Sequence, residues 1–226
     1  MSGMFHGCIC LESLELFNFN TLDFIDMSKM FYSCESLTAL DLSNFNTGNV
    51  VDMCGMFSNC RILENINFGP NFTTVQVTDM NSMFANCSGL EDLNLSNFNT
   101  QNVTNMQRMF LLCNSLLKLD LSNFNTKNVT YMNSMFSLCS SLEVLDLFNF
   151  NTSKVINIIN MFYGSFRGYL SSKLICSGYI IKKIIDNQNY NIYLRLGEGV
   201  SQNKNLYKNK DKYTCRITHN MITEIK

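Results

Sequence analysis

Six cysteines recur at one phase of the sequence, and their thiols are the side chains with the clearest potential for chemistry. They follow one another at a nearly constant interval and are Cys8, Cys34, Cys60, Cys87, Cys113 and Cys139. A chain of disulfides or a stripe of metal ligands would be the functional interpretation. A thiol with an equivalent on either side defines no discrete four-ligand zinc site. We therefore predict that every thiol of this series, Cys8 included, is a small buried group at a tight corner.

The remaining candidates for catalysis or metal binding are sparse. His6, Cys8 and Cys10 form a short metal-like cluster, but the predicted core position of Cys8 argues against a metal there. The only histidines are His6 and His219, at opposite ends of the chain, so no Ser-His-Asp or Cys-His arrangement is formed. No phosphate-binding loop or dinucleotide motif is present. The sequence predicts no enzyme activity, no cofactor, no metal and no small-molecule substrate.

Carboxylates alternate with leucines and form the candidate binding surface. The nine residues are Glu12, Glu15, Asp41, Glu64, Glu91, Asp92, Asp120, Glu143 and Asp146. General acid and base catalysis needs two carboxylates in contrasting environments, whereas these recur in equivalent ones. We expect them to project outward as an acidic stripe. The stripe is either a solvated face or a docking surface for a basic protein partner.

A strict repeat must position these groups. Met-Phe pairs begin at Met4, Met30, Met56, Met83, Met109, Met135 and Met161. The difference between successive positions is 26, except for a single 27 across the copy that contains Gly69-Pro70. A fixed period of this length is typical of a solenoid, in which each coil buries its apolar side against neighbouring coils.

Each repeat predicts the same local structure. A Leu-x-x-Leu-x-Leu segment has the alternation of a strand, and the Asn-Phe-Asn-Thr segment after it is rich in turn-forming side chains. Apolar residues then follow at spacings of three, three, one and three, as in Val103, Met106, Met109, Phe110 and Cys113. This spacing favours a short helical segment with one buried face. The predicted fold class is an α/β solenoid with one short strand and one short helical segment per 26-residue coil.

The combined motif resembles a known family. Leu-Asp-Leu-Ser-Asn-Phe-Asn-Thr from Leu40, followed by Met56-Phe57-x-x-Cys60, is similar to the repeats of BspA-like leucine-rich-repeat surface proteins. The likeness extends from about Met4 to Phe162, although the last copy ends in Ser165 where Cys is expected. The resemblance implies a right-handed leucine-rich-repeat stack with a strand-lined face. It also implies a role in binding or surface adhesion, with no catalytic residue to carry over.

Charge divides the chain in two. Up to Gly164 there are six basic and fourteen acidic residues, so 6 − 14 = −8, and from Ser165 onward 11 − 4 = +7. We predict a solenoid of about six coils over residues 1–165 and a C-terminal cap with a basic tail over residues 166–226. The tail contains Lys204, Lys208, Lys210 and Lys212. A solvated tail is the main interpretation, and nucleic-acid contact through it is a remote alternative.

These features together predict a non-catalytic protein-interaction or surface-adhesion module. The alternative is a structural repeat fragment of a larger array with self-stacking ends. A helix that spans a bilayer needs roughly 20 apolar residues. No apolar run of this chain approaches that length, and Met1 to Cys10 lacks the pattern of a signal peptide. The sequence as written predicts a cytoplasmic protein, or a cell-surface protein if its N-terminus is truncated.

Overall fold

A computed structural model describes residues 1–165, Lys173–Cys176 and Tyr213–Arg216. Its strands are short and are separated by turns and irregular segments, and none of the described residues is helical. The strands are β1 (Ala39–Leu42), β2 (Asn65–Phe68), β3 (Lys118–Leu119), β4 (Val144–Leu147), β5 (Lys173–Cys176) and β6 (Tyr213–Arg216).

The strands pair in the register of the repeat. β1 and β2 are parallel, with Leu40 opposite Ile66, its equivalent in the next repeat. β3, β4 and β5 are parallel neighbours in a second sheet, and β6 completes it in the antiparallel direction. The predicted strand is therefore confirmed in four repeats. In two others, at Leu14–Leu16 and Leu93–Leu95, the same segment is irregular.

The predicted helical segment is wrong, because tight turns occupy that part of each repeat. Amide N–H groups alternate between two kinds of partner. Those of Met56, Ser58 and Cys60 donate to carbonyls three residues back, at N···O distances of 3.1–3.2 Å. Those of Gly55 and Phe57 donate instead to carbonyls of the next repeat, at 2.8 and 2.9 Å. A helix would direct every N–H to the carbonyl four residues back and would leave none for the neighbour.

Left-handed backbone at two positions per repeat makes these turns. The first position precedes Met of Met-Phe, with φ between 54° and 62°, and is occupied by Gly3, Lys29, Gly55, Ser82, Arg108, Ser134 and Asn160. The second lies three residues after that Met, with φ between 58° and 75°, and is occupied by Gly7, Ser33, Asn59, Asn86, Leu112, Leu138 and Gly164. Such conformations end a right-handed helix. The apolar spacing that suggested a helix is satisfied by consecutive turns.

Ladders of identical side chains fill the interior. Phenylalanine rings of successive repeats stack with centroids 5.4–5.8 Å apart and interplanar angles of 2–10°. The stacked rings are Phe5, Phe31, Phe57, Phe84, Phe110, Phe136 and Phe162. Buried Met, Leu, Val and Cys ladders surround them in one continuous cluster. Each repeat therefore buries its apolar side chains mainly against the repeats before and after it.

Threonines of the Asn-Phe-Asn-Thr turn form a buried polar ladder beside this core. The Thr100 hydroxyl donates to the Asn125 carbonyl at 3.1 Å and accepts from the Asn125 N–H at 2.7 Å. Thr126 makes the same pair of bonds with Asn151, at 3.1 and 2.7 Å. One hydroxyl thus satisfies two backbone groups of the next repeat, so burial leaves neither group unpaired.

The inserted residue is absorbed where Gly69 approaches the preceding repeat. A Cβ at Gly69 would lie 2.1 Å from the Ser43 carbonyl oxygen. Only glycine permits this contact, which explains why Gly-Pro replaces the usual Ser. The described chain is thus repeat-like, with each repeat hydrogen-bonded to the next. The predicted cap and tail lie outside the described residues except for β5 and β6, and so do Lys204, Lys208, Lys210 and Lys212.

Candidate functional site

The predicted acidic residues lie on one side, here called the strand face: the outward positions of residues 12–15, 38–41, 64–67, 91–94, 117–120 and 143–146. Eight of the nine are exposed and Glu143 is half-buried. Along β1 and β4 they alternate with buried leucines, as the strand spacing predicts.

Three aspartates of this face also shape the backbone. The Oδ1 atoms of Asp41, Asp120 and Asp146 each accept the N–H two residues ahead, at 2.9 Å. The hydrogen bond from the Ser43 N–H is the main cause that holds the pKa of Asp41 below its usual value. The Ser122 N–H lowers the pKa of Asp120 in the same way. These two carboxylates therefore stay ionised at neutral pH.

The stripe is not continuous. Asn67 and Asn94 occupy the positions equivalent to Asp41 in the next two repeats, and the Asn67 amide donates to Asp41 Oδ1 at 2.9 Å. Asn94 Oδ1 accepts the Ser96 N–H at 3.0 Å, so it replaces the aspartate in its backbone role. Asp41 is thereby separated from Asp120 by two neutral side chains in this row.

The cysteine ladder is buried over five repeats. Each thiol donates to the carbonyl oxygen of Phe in the preceding repeat, at S···O distances of 2.9–3.2 Å. The residues are Cys34, Cys60, Cys87, Cys113 and Cys139. Burial raises the pKa of Cys60 and of Cys113 to about 12. Neither is therefore a thiolate nucleophile near neutral pH.

The two ends of the ladder depart from the prediction. Cys8 is exposed, because no described repeat covers the first one on its outer side, and its predicted core position is wrong. Ser165 replaces the last cysteine, and its hydroxyl donates to the Phe136 carbonyl as the thiols do. The position thus requires a small donor, which Ser also supplies.

A second polar surface was missed by the sequence interpretation. Single parallel bridges connect Asp26, Asp52, Asp79, Asn105, Tyr131 and Asn157 across six successive repeats. We call this row, with the largely exposed row immediately before it (Ile25, Val51, Thr78, Thr104, Thr130 and Ile156), the bridge face. The sequence signal for this face was an Asp-Met pair that begins four residues before Met-Phe in three consecutive repeats.

Like charges meet on the bridge face. Asp52 is half-buried between Asp26 and Asp79, and its Oδ1 accepts the Cys54 N–H at 2.8 Å. Burial, with a smaller contribution from the two neighbouring carboxylates, raises the pKa of Asp52, and the Cys54 N–H and the Lys29 ammonium oppose this only in part. The next residue in the row relieves the crowding, since Asn105 donates its amide to Asp79 Oδ2 at 3.1 Å.

The row is interrupted at Tyr131. The Asp or Asn at every other position accepts the N–H two residues ahead, as Asn157 does from Ile159 at 3.0 Å. Tyr131 has no such acceptor and its ring is exposed. Asn133, two residues ahead, has the one buried side-chain oxygen without a hydrogen-bond partner in the described part of the chain.

Within residues 1–165 and the two C-terminal strands, no group of three or more His, Cys, Asp and Glu side chains is arranged to hold a metal ion. The same residues contain no helix long and apolar enough to cross a membrane.

Comparison with protein families identifies the family of this chain. The model of the family DUF285, described as a Mycoplasma protein of unknown function, matches residues 1–90 and 64–171. Since these spans cover most of the 226 residues, the chain belongs to this family. The repeated buried Cys and Phe agree with a repeat protein. No curated protein and no solved structure gave a match.

Proposed function

We propose that the chain is a non-catalytic protein-interaction or surface-adhesion module with the leucine-rich-repeat solenoid architecture of BspA-like proteins. Its strand face would bind a basic protein partner. The observation that carries the proposal is the set of exposed carboxylates on the strand face, of which Asp41 and Asp120 have lowered pKa values.

Charge, more than shape, would govern this binding. Exposed carboxylates attract a basic partner before contact and so raise the association rate, an effect that salt screens over about 8–10 Å. The aspartates already have hydrogen-bonded backbone partners, so they present their charge in a fixed place. Asn94, whose Oδ1 accepts the Ser96 N–H, indicates that an amide is tolerated at this position without loss of the turn.

The experiment is affinity capture of a partner on the immobilised chain, followed by binding kinetics of a triple variant. The change is Asp41→Asn, Asp120→Asn and Asp146→Asn. We expect slower association and a shallower dependence on salt. The folding free energy should change by within about 0.5 kcal/mol.

A matched control removes three charges from the other face. Asp26→Asn, Asp52→Asn and Asp79→Asn should leave association with the captured partner unchanged. Equal association of both triple variants and the unmodified chain would show that the strand face does not dock the partner.

A structural role with self-stacking ends is the second candidate. It is favoured by the apolar side chains that the first repeat exposes, with Met4 at 50%, Ile9 at 54% and Phe17 at 65% exposure. End-to-end stacking leaves a free end on every assembly, so mass would rise with concentration without a limit.

A further inference from the structure

The bridge face has a nearly symmetric pattern that the strand-face proposal does not use. Its outer row is entirely β-branched and bears aliphatic residues near both ends, with exposures of 66% at Ile25, 43% at Val51 and 64% at Ile156. Thr78, Thr104 and Thr130 lie between Val51 and Ile156, so the row has two aliphatic residues at one end and one at the other. Single exposed aliphatic side chains are ordinary on a solvated surface, so this row supports an interface only together with the charges beside it.

Charge on the bridge face is divided between its halves. The inner row is acidic in its first three repeats, at Asp26, Asp52 and Asp79, where the exposed Lys29 is a neighbouring cation, and it is neutral in its last three. Arg108 is exposed beside the neutral half, one position past Gln107. No acidic residue lies in residues 93–119, so this arginine has no carboxylate nearby in its own repeat.

At the corner beside the bridge face, acidic and basic charge again lie in different halves. In each repeat, the second residue after the buried threonine belongs to a row at this corner. Within the described residues the row begins with Asp23 and ends with Lys154, and both are exposed. Asn49, Gln76, Asn102 and Asn128 are the neutral residues between them. Lys154 Nζ donates to Asn128 Oδ1 at 2.8 Å, which places the two side chains next to each other along this row.

We propose that the bridge face binds the bridge face of a second copy of this chain about a two-fold axis between Thr78 and Thr104. In this arrangement Ile25 meets Ile156 of the second copy, and Asp23 meets its Lys154. Arg108 faces the repeat of the second copy that holds Asp79. Every contact occurs twice, as an isologous interface requires.

The symmetry also avoids repulsion. Asp26, Asp52 and Asp79 lie opposite Asn157, Tyr131 and Asn105 of the second copy, so no two carboxylates of the inner row meet. Tyr131, the exposed aromatic of this row, covers the half-buried Asp52, and tyrosine is common in the centres of protein interfaces. A parallel arrangement would instead place the acidic halves against each other.

The size of the face sets the expected strength. Six repeats at roughly 4.8 Å and five residues at roughly 3.3 Å give about 475 Å² per copy, against roughly 800 Å² per partner in a standard interface. The dimer should therefore be weak, with a dissociation constant at or above about 1 μM, the weak end of the range for standard-size interfaces. It should also weaken with salt, because the end contacts are exposed ion pairs.

Sedimentation of the full chain from low to several hundred micromolar tests the proposal. We expect a limiting mass of twice 25.9 kDa. Asp23→Lys and Lys154→Asp should each weaken the dimer by about tenfold, because each creates two like-charge contacts. An equimolar mixture should recover the affinity, since a heterodimer restores both attractive contacts.

Two further variants separate a local effect from a folding effect. Ile156→Ser should weaken the dimer. Its denaturation midpoint should shift no more than it does for an ordinary exposed substitution. Asp41→Lys makes the same charge change as Asp23→Lys on the strand face and should leave the dimer unaffected. A chain that stays monomeric would overturn the proposal, and so would a mixture without recovery. A dimer that is insensitive to Asp23→Lys, Lys154→Asp and Ile156→Ser would overturn it as well. Growth beyond a dimer would favour end stacking instead. Because no external partner is used, the result is independent of strand-face binding.

Discussion

At the scale of single residues, aspartate has opposite effects on folding stability on the two faces. Asp41 on the strand face is exposed, and its pKa is lowered by the N–H it accepts. Asp52 on the bridge face is half-buried between two carboxylates, and its pKa is raised. The first aspartate favours the folded state when it is ionised, whereas the second favours it when it is protonated.

The pH dependence of stability follows from these directions. A carboxyl whose pKa is raised on folding contributes stability that is present at low pH and is lost as the pH rises through its folded value. Asp52→Asn should therefore raise the free energy of unfolding at pH 7. Like charges on adjacent strands suggest a gain of about 0.5 kcal/mol. Asn105, whose Oδ1 accepts the Gln107 N–H, shows that an amide serves this position.

Denaturant titrations at pH 4 and pH 7 measure this difference. The gain should shrink at the lower pH, where Asp52 binds a proton. Asp41→Asn is the control with the reverse sign, since it should reduce stability slightly at pH 7. A loss of stability in Asp52→Asn at pH 7 would mean that the Cys54 N–H and the Lys29 ammonium stabilise the carboxylate more than burial and the two neighbouring carboxylates destabilise it, which would contradict the raised pKa.

At the scale of elements, tight turns with left-handed residues decide the local structure. Leu112 and Leu138 both adopt this conformation. It costs an L residue about 1–2 kcal/mol. Their N–H groups donate to carbonyls of the next repeat at 2.9 and 2.6 Å. Bonds between repeats thus help to hold a backbone that the local sequence disfavours.

Gly55 provides a test of this interpretation. A Cβ there would meet no heavy atom closer than 3.5 Å, so space does not limit the position and its φ of 61° does. Gly55→Val should cost about 2 kcal/mol, because a β-branched residue is a strong outlier in this region. Gly55→Asn is the matched control and should cost a few tenths, since Asn160 occupies the equivalent position.

The denaturation midpoints of the two variants give the comparison. Similar small losses for Val and Asn would show that the backbone at Gly55 is not left-handed in solution.

Sequence patterns predicted part of these elements. Alternation around Leu40 and Leu145 correctly gave strands, and the period gave their register. The helix was wrong because spacings of three, three, one and three also suit consecutive turns. Gly3, Gly55 and Gly164 were a signal for left-handed backbone, but leucine and arginine at equivalent positions concealed it.

The candidate sites were also predictable only in part. Outward positions on the strand face could be derived from alternation alone. The bridge face could not, since its pairing involves one residue per repeat and Tyr131 interrupts the Asp and Asn pattern. The exposure of Cys8 depends on which repeats cover it. The sequence around Cys8 does not contain that information.

At the scale of the whole molecule, contacts between successive repeats provide most of the order. Stacked phenylalanines, thiol and threonine ladders and the backbone bonds of the turns all join one repeat to the next. Stability in such an array is the sum of terms for single repeats and for their interfaces, so a residue with neighbours on both sides contributes more than one at an open side.

The most direct measurement of this claim compares one position in two repeats. Leu14 and Leu93 are equivalent in the Leu-x-x-Leu-x-Leu segment, but Leu93 is buried between repeats and Leu14 is half-buried in the first one. Leu93→Ala should cost about 2–5 kcal/mol as a core cavity, and Leu14→Ala should cost less than half of that. Both values come from denaturant titration of the full chain under one condition. Equal costs would contradict an array in which each repeat is stabilised by its neighbours.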